Sequence, residues 1–240
     1  MPRFYIDPPT GDTVVLEGEN ARHISRSLRM AVGEELTLCD GAGTDYLCRL
    51  SAMDGQTVTA QILSCEPCQA EPTVFVRLYQ ALPKSDKMEL ILQKAVELGV
   101  GEVIPVLTER CISRPDPKSM EKKLSRWQKI ALEAAKQCGR GRIPTVRPLM
   151  SFSEAASELG QMEKGLFLYE KGGQPLKAAL SEPAKEIGIF VGAEGGFSPD
   201  EAAAAEEAGA QPTSLGPRIL RCETAPLAAL SAILYETGNF

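Results

Sequence analysis

Two short apolar stretches near the carboxyl end, Ile187 to Val191 and Thr213 to Leu215, each run into a glycine-containing loop and then a helix start. Strand, glycine turn and helix in that order put backbone groups at strand C-termini, where open α/β sheets hold their ligands. The first loop is Gly192-Ala193-Glu194-Gly195-Gly196. Its glycines admit positive φ and let backbone N–H groups approach a ligand that a Cβ would keep away. Ser198-Pro199-Asp200-Glu201 then reads as a helix N-terminus, with Ser198 as cap and Glu201 closing a capping box, and Gly209 stops the helix. The second loop, Leu215 to Ala225, keeps Leu215, Ile219 and Leu220 apolar through a turn carrying Gly216 and Pro217. Apolar residues that persist through a turn line a pocket.

The spacing excludes the commonest nucleotide sites. There is no G-x-G-x-x-G followed by a distant acidic residue, and no G-x-x-x-x-G-K-[ST].

Upstream of these loops, strand and helix patterns alternate from Thr73, which predicts an α/β domain with a mostly parallel sheet. Strands are expected at Thr73–Gln80, Glu102–Leu107 and Gly165–Tyr169, and helices after Asp86, from Ser119 to Cys138, from Ser153 to Leu159 and from Gln174 to Leu180. Asp86 reads as a cap with Glu89 three positions on. In the long helix Met120, Leu124, Trp127, Ala131, Ala134 and Cys138 recur by threes and fours, which makes them core. The last helix, Ala225 to Thr237, is apolar nearly all round and is capped by Thr224, so it is deeply buried or part of an interface. Residues 1–70 read differently: short alternating strands between turns such as Asp54-Gly55 predict a small β-barrel, with Asn20 capping a short helix. The boundary falls in the proline-containing stretch Cys65 to Pro72, giving domains 1–70 and 73–240.

Charge is unevenly spread. From Arg110 to Arg147 eleven basic residues face three acidic ones, a net +8, which leaves −14 on the remainder of a chain that totals −6. A basic stretch in an acidic protein suits a phosphate backbone, and Gly139-Arg140-Gly141-Arg142 is a loop made for phosphate contact. One histidine and a single C-x-x-C, Cys65 to Cys68, leave too few ligands in the right pattern for a metal site, so none is expected. The start MPRFYIDPP lacks an apolar targeting core, and no apolar run reaches the roughly eighteen residues a membrane span needs. The chain therefore reads as cytoplasmic.

The segments GAEGGFSPDE and LGPRILRCETA resemble the two signatures of the RsmE family, ribosomal small-subunit RNA uridine N3-methyltransferases of the SPOUT superfamily. KMELILQKAVELGV, ERCISR and RWQKIALEAAKQCGRGRIP extend the resemblance over nearly the whole chain, with Ala193 standing where the family usually has proline. The resemblance implies a trefoil-knotted methyltransferase domain preceded by a PUA-like RNA-binding domain. It also implies a homodimer through the last helix, and N3 of a uridine in 16S rRNA of the small ribosomal subunit as acceptor. S-adenosyl-L-methionine is expected between three loops, the first after Leu168. Gly192, Gly195, Gly196 and Gly216 are expected to offer backbone to it, and Leu168, Leu215, Ile219 and Leu220 to pack its purine, with Glu194, Thr224 and Ala225 beside them. Arg3, His23, Arg26, Arg29 and Arg110 join Arg140 and Arg142 as expected RNA contacts.

For a uridine N3 acceptor, negative charge spreads to two carbonyl oxygens as the imide proton leaves. Arg221 is placed to meet it, although a structural ion pair is an equal reading of that residue. Glu223 or Glu194 is available to take the proton or to offset the cofactor's positive charge. Cys222 is better read as a small buried residue than as a nucleophile, since a deprotonated ring nitrogen needs no covalent help. Other readings are a SPOUT methyltransferase for another RNA or base position, and a non-catalytic RNA-binding assembly factor.

Overall fold

The computed structural model describes residues 1–240 and falls into two compact units: Met1–Glu71 with Ala135–Ile143, and Pro72–Ala134 with Pro144–Phe240. The stretch Ala135–Ile143, expected within the second domain, thus packs with the first.

The first unit holds β1 (Arg3–Tyr5), β2 (Thr13–Leu16), α1 (Gly18–Arg22), β3 (Glu35–Cys39), β4 (Thr44–Met53) and β5 (Val58–Pro67). Its sheet runs β1-β3-β4-β5-β2, so β1 and β2 are edges and the sheet curls into a half-barrel instead of closing. Register shifts between Leu47 and Cys48 and between Leu50 and Ala52 bend the long β4–β5 pair, as bulges do. The concave face buries Phe4, Ile24, Leu36, Leu38, Leu50 and Val58.

Asn20 does not cap α1. Glu17 holds that position without a side-chain bond, and the Asn20 amide donates to the Tyr5 carbonyl at 3.1 Å. The helix continues as one π turn, His23–Ser27, closed by Leu28 N–H donating to His23 O at 2.9 Å.

The segment after Ala135 is held by its backbone. Gly43 N–H donates to Gly141 O at 3.0 Å, and the Cys39 thiol donates to the same carbonyl at 3.1 Å. A Cβ on Gly141 would sit 2.4 Å from the Cys68 Cβ, so only glycine fits there.

The second unit continues with β6 (Phe75–Ala81), α2 (Lys87–Glu97), β7 (Glu102–Leu107), α3 (Pro117–Cys138), β8 (Thr145–Val146), β9 (Met150–Ser151) and α4 (Phe152–Gly160). It ends with β10 (Lys164–Leu168), β11 (Gln174–Pro175), α5 (Leu176–Ala179), β12 (Glu186–Val191), α6 (Pro199–Glu207), β13 (Gln211–Ser214) and α7 (Ala225–Glu236). The sheet order is β11-β13-β10-β12-β6-β7-β8, with β9 also on β7, and every pairing is parallel. β10 and β12 are buried along nearly their whole length, which is why they read as continuous apolar runs. Phe167, Phe190 and Phe197 stack at 4.3 to 5.7 Å between centroids within the core that Tyr79 and Leu159 complete.

Ser198 caps α6 with the full capping box, and Ser151 does the same for α4. Asp86 and Thr224 occupy cap positions without side-chain bonds. The Asp86 carbonyl accepts from Glu89 N–H instead, and the Glu89 carboxylate is turned to Arg126, 2.7 Å away. No helix is long and apolar enough to cross a membrane.

Candidate active site

From β12 the chain passes β10 to reach β13, then returns to α7, which packs on α2, β6 and β12. Three parallel neighbours, β13, β10 and β12, therefore end side by side, and the loops beyond their C-termini converge. The loops line one cavity of about 460 Å³ with Leu168–Glu170, Val191–Phe197, Thr213–Cys222, Ala225 and Lys87.

The first glycine loop is fixed from several sides. Gly196 adopts φ +61, and its N–H donates to Ala193 O at 3.0 Å, closing the turn with alanine at that position. A Cβ on Gly192 would stand 3.1 Å from Gly196 Cα and 3.2 Å from the Phe197 ring. Arg110 donates from Nη1 to Gly195 O at 2.9 Å. Glu201, nearly buried, accepts from Ser198 N–H at 3.0 Å and from Glu109 N–H at 2.7 Å, so the acidic cap at the N-terminus of α6 also anchors the loop after β7.

In the second loop Gly216 takes φ +106. The Arg221 carbonyl accepts from Thr224 and Ala225 N–H at 2.8 and 2.9 Å, which starts α7. The Arg221 side chain is 83% exposed, with its guanidinium 4.0 Å from Glu223. Ile219 lines the cavity yet is 84% exposed, so it stands at the mouth and not in the interior expected for it.

Leu168, Gly192, Glu194, Gly195, Gly196, Leu215, Gly216, Ile219, Leu220, Arg221 and Ala225 are thus brought together. Glu223 and Thr224 are not on the cavity wall. Tyr169 and Glu170, at the strand end where the resemblance puts the first ligand loop, line it with Leu168, and Glu170 lies 3.1 Å from where a Gly196 Cβ would be; Lys87 lines it too, from outside the expected loops. Lys87 opens α2 and the segment KMELILQKAVELGV, but nothing in that segment's pattern points its side chain at the glycine loops, so only the fold places it there.

The Lys87 ammonium sits 3.0 Å from Glu194 and 3.1 Å from Glu223. Glu194 and then Glu223 hold its pKa well above that of an ordinary lysine. Burial opposes the Glu194 charge, but Lys87 and backbone N–H groups, including that of Lys84, outweigh it and keep the carboxyl below its usual range. Burial opposes the Glu223 charge too, and its own N–H, the Cys222 thiol and Lys87 outweigh it. Cys222 is pushed up to about 12 by burial and by Glu223, so its thiol stays protonated at neutral pH.

Residues expected at RNA divide. Arg140 is 4% exposed and paired with Glu71 at 2.9 Å, and Arg3 pairs with Asp45 at 2.5 Å, so both guanidiniums are engaged in structure. Arg142 is exposed and donates from Nε to Ala42 O at 3.1 Å. His23, edge-on to Phe4, is exposed with Arg26 and Arg29. On α3, Lys118, Lys122, Arg126 and Lys129 are exposed while Trp127 is core.

A parallel sheet whose glycine turns close on one cavity, in a chain that also carries a curled β unit, is the architecture of an RNA methyltransferase. The RNA methyltransferase domain family matches residues 70–234 and the RNA methyltransferase PUA domain family residues 16–63. The chain is 34% identical to ribosomal RNA small subunit methyltransferase E of Bacillus subtilis, covering 94% of this chain and 91% of that one. It is 33% identical to the protein of that name from Mycobacterium tuberculosis, covering 99% and 92%. The solved structure of ribosomal RNA small subunit methyltransferase E from Neisseria gonorrhoeae bound to S-adenosyl methionine is 37% identical and covers 98% of this chain and 97% of that one, with a TM-score of 0.83. The chain belongs to the ribosomal RNA small subunit methyltransferase E family.

Proposed function

We propose that the protein methylates N3 of an unpaired uridine in 16S rRNA of the small ribosomal subunit, using S-adenosyl-L-methionine. The observation that carries this reading is a cavity shared by the glycine loops, with Gly192, Gly195, Gly196 and Gly216 on its wall, at three strand ends. Its volume of about 460 Å³ suits a nucleoside-sized ligand, and the close approach of Gly192 to Gly196 leaves backbone where side chains would fill the cradle. The backbone of Gly192, Gly195, Gly196 and Gly216 would hold S-adenosyl-L-methionine there, and the cofactor would supply an electrophilic methyl carbon, its sulfur keeping the electron pair of the bond given up.

The chain's own contribution is position and charge. The uridine N3 proton passes to water at the open mouth, and the freed nitrogen lone pair forms the new bond to carbon. Arg221, exposed at that mouth, is the cation for the carbonyl oxygens that carry the developing charge. Glu223, turned to Lys87 and Arg221, holds these cations in place and is a weak proton acceptor because its carboxyl is kept ionised.

The exposed stripe Lys118, Lys122, Arg126 and Lys129 on α3 and the exposed His23, Arg26, Arg29 and Arg142 offer phosphate contacts. Arg110 serves the loop it bonds, and Arg3 and Arg140 serve folding. A homodimer is proposed through α7, whose Leu227, Ala228 and Ala232 are half-buried and whose Tyr235 is 73% exposed. Seven free thiols suit a reducing cytoplasm. Calorimetric titration of the purified chain with S-adenosyl-L-methionine tests the site: one saturable site per chain is expected, and no heat of binding overturns the reading.

A further inference from the structure

Glu194 belongs to the first glycine loop and Glu223 to the second, and one ammonium reaches both. Lys87 Nζ is 3.0 Å from Glu194 Oε1, 3.1 Å from Glu223 Oε2 and 3.8 Å from Cys222 Sγ. Lys87 comes from a third element, the first turn of α2, and lines the cavity itself. Backbone N–H of Lys84, just before α2, adds bonds of 3.2 and 3.3 Å to the same Glu194 carboxylate. The side chains of Lys87, Glu194 and Glu223 are 32%, 26% and 18% exposed, so water screens the three charges only in part.

Without the ammonium, two carboxylates would face one another across the gap between the loops that must close on the cofactor. Like charges so placed repel and raise each other's pKa. No hydrogen bond joins one glycine loop directly to the other, whereas the Lys87 ammonium pairs with both, so this cation is the bridge between them.

We propose that Lys87 is a positioning residue that clamps the first glycine loop to the second through Glu194 and Glu223, holding the cofactor cradle in its binding shape. The inference rests on the proposed use of S-adenosyl-L-methionine at this site. The charged and titratable groups facing Lys87 are Glu194, Glu223 and Cys222, with Arg221 beyond Glu223 at 4.0 Å. Burial opposes ionisation of the two carboxyls and is outweighed, so they stay ionised when Lys87 is present.

The test combines calorimetry with a carboxyl titration on the full chain. S-adenosyl-L-methionine is titrated into wild type, Lys87→Met and Lys87→Arg, and the Glu194 and Glu223 side-chain carbons are followed by NMR against pH without ligand. Lys87→Met is expected to weaken binding by about tenfold, the scale of two partly screened ion pairs, and to move both carboxyl midpoints upward. Lys87→Arg is expected to recover most of the affinity. Wild-type affinity in Lys87→Met, or equal losses in the Met and Arg variants, overturns the clamp. So do wild-type midpoints at or above that of an ordinary glutamate, a measurement that needs no variant to fold. Failure of wild type to bind S-adenosyl-L-methionine instead overturns the proposed function, and the carboxyl midpoints then decide the clamp alone.

Discussion

Arg140 Nη2 lies 2.9 Å from Glu71 Oε2, with the two side chains only 4% and 12% exposed. Glu71 also accepts from Arg142 N–H at 2.9 Å, so one carboxylate ties the loop after α3 to the first unit. Removing one partner of a buried pair strands the other charge, at a cost of about 3 kcal/mol. Arg140→Ala is therefore expected to lower the urea midpoint clearly, and to weaken RNA binding only as far as the fold is lost. A variant of wild-type stability with selectively weakened RNA affinity would return Arg140 to the RNA surface.

The glycine turns separate two kinds of constraint. At Gly192 an added Cβ meets Gly196 Cα at 3.1 Å and the Phe197 ring at 3.2 Å. At Gly216 nothing lies within 4 Å, but φ is +106. Gly192→Ala is expected to reshape the cradle and reduce cofactor affinity about tenfold or more, whereas Gly216→Ala costs about 1 kcal/mol of backbone strain. Calorimetry and thermal melts of both variants check the contrast.

Cys222 is buried and its pKa is pushed up to about 12 by burial and by Glu223, while Cys65 is exposed. Brief iodoacetamide treatment near neutral pH, followed by peptide mass analysis, is expected to label Cys65 first and leave Cys222 untouched until the chain unfolds. Preferential labelling of Cys222 would reopen a covalent role for it.

Much of the site was readable because local chemistry decided it. Ser198 and Glu201 make their capping box from neighbours in sequence, and the apolar runs of β10 and β12 announce strands buried on both faces. Convergence of those strand ends is a property of strand order, which periodicity does not encode. Lys87 was hidden for that reason: its partners are 107 and 136 residues away along the chain, beyond any local pattern. Arg140 misled for the converse reason. In sequence it is one of two arginines alternating with glycines, and only the distant Glu71 decides that it is buried. Thr224 and Asp86 look like caps, but neither side chain makes a cap bond: the Asp86 carbonyl itself accepts the Glu89 N–H, and the second residue of α7 is Pro226, which has no N–H to give.

Acid stability follows from the carboxylates. Burial opposes ionisation of Glu158, but Arg147 at 2.6 Å and the Tyr79 hydroxyl at 2.8 Å outweigh it and hold the carboxyl below its ordinary range. An unfolded glutamate titrates near about 4.3, so at lower pH the unfolded chain takes up a proton that the native chain still refuses. The stabilisation is complete above that pH and is lost as pH falls through the lower native value. Melting temperatures measured across the acid range are expected to fall more steeply for wild type than for Glu158→Gln. Parallel curves would contradict the assignment.

The most direct test of the account is the chemistry itself. Small-subunit RNA lacking the modification is incubated with the protein and isotopically labelled S-adenosyl-L-methionine, digested to nucleosides and resolved by mass and retention, alongside Arg221→Ala. The account predicts label in 3-methyluridine alone, with turnover depressed by Arg221→Ala about a hundredfold or more, the scale of one lost charge-stabilising group. Label in any other nucleoside, or none with an intact cofactor site, would contradict it.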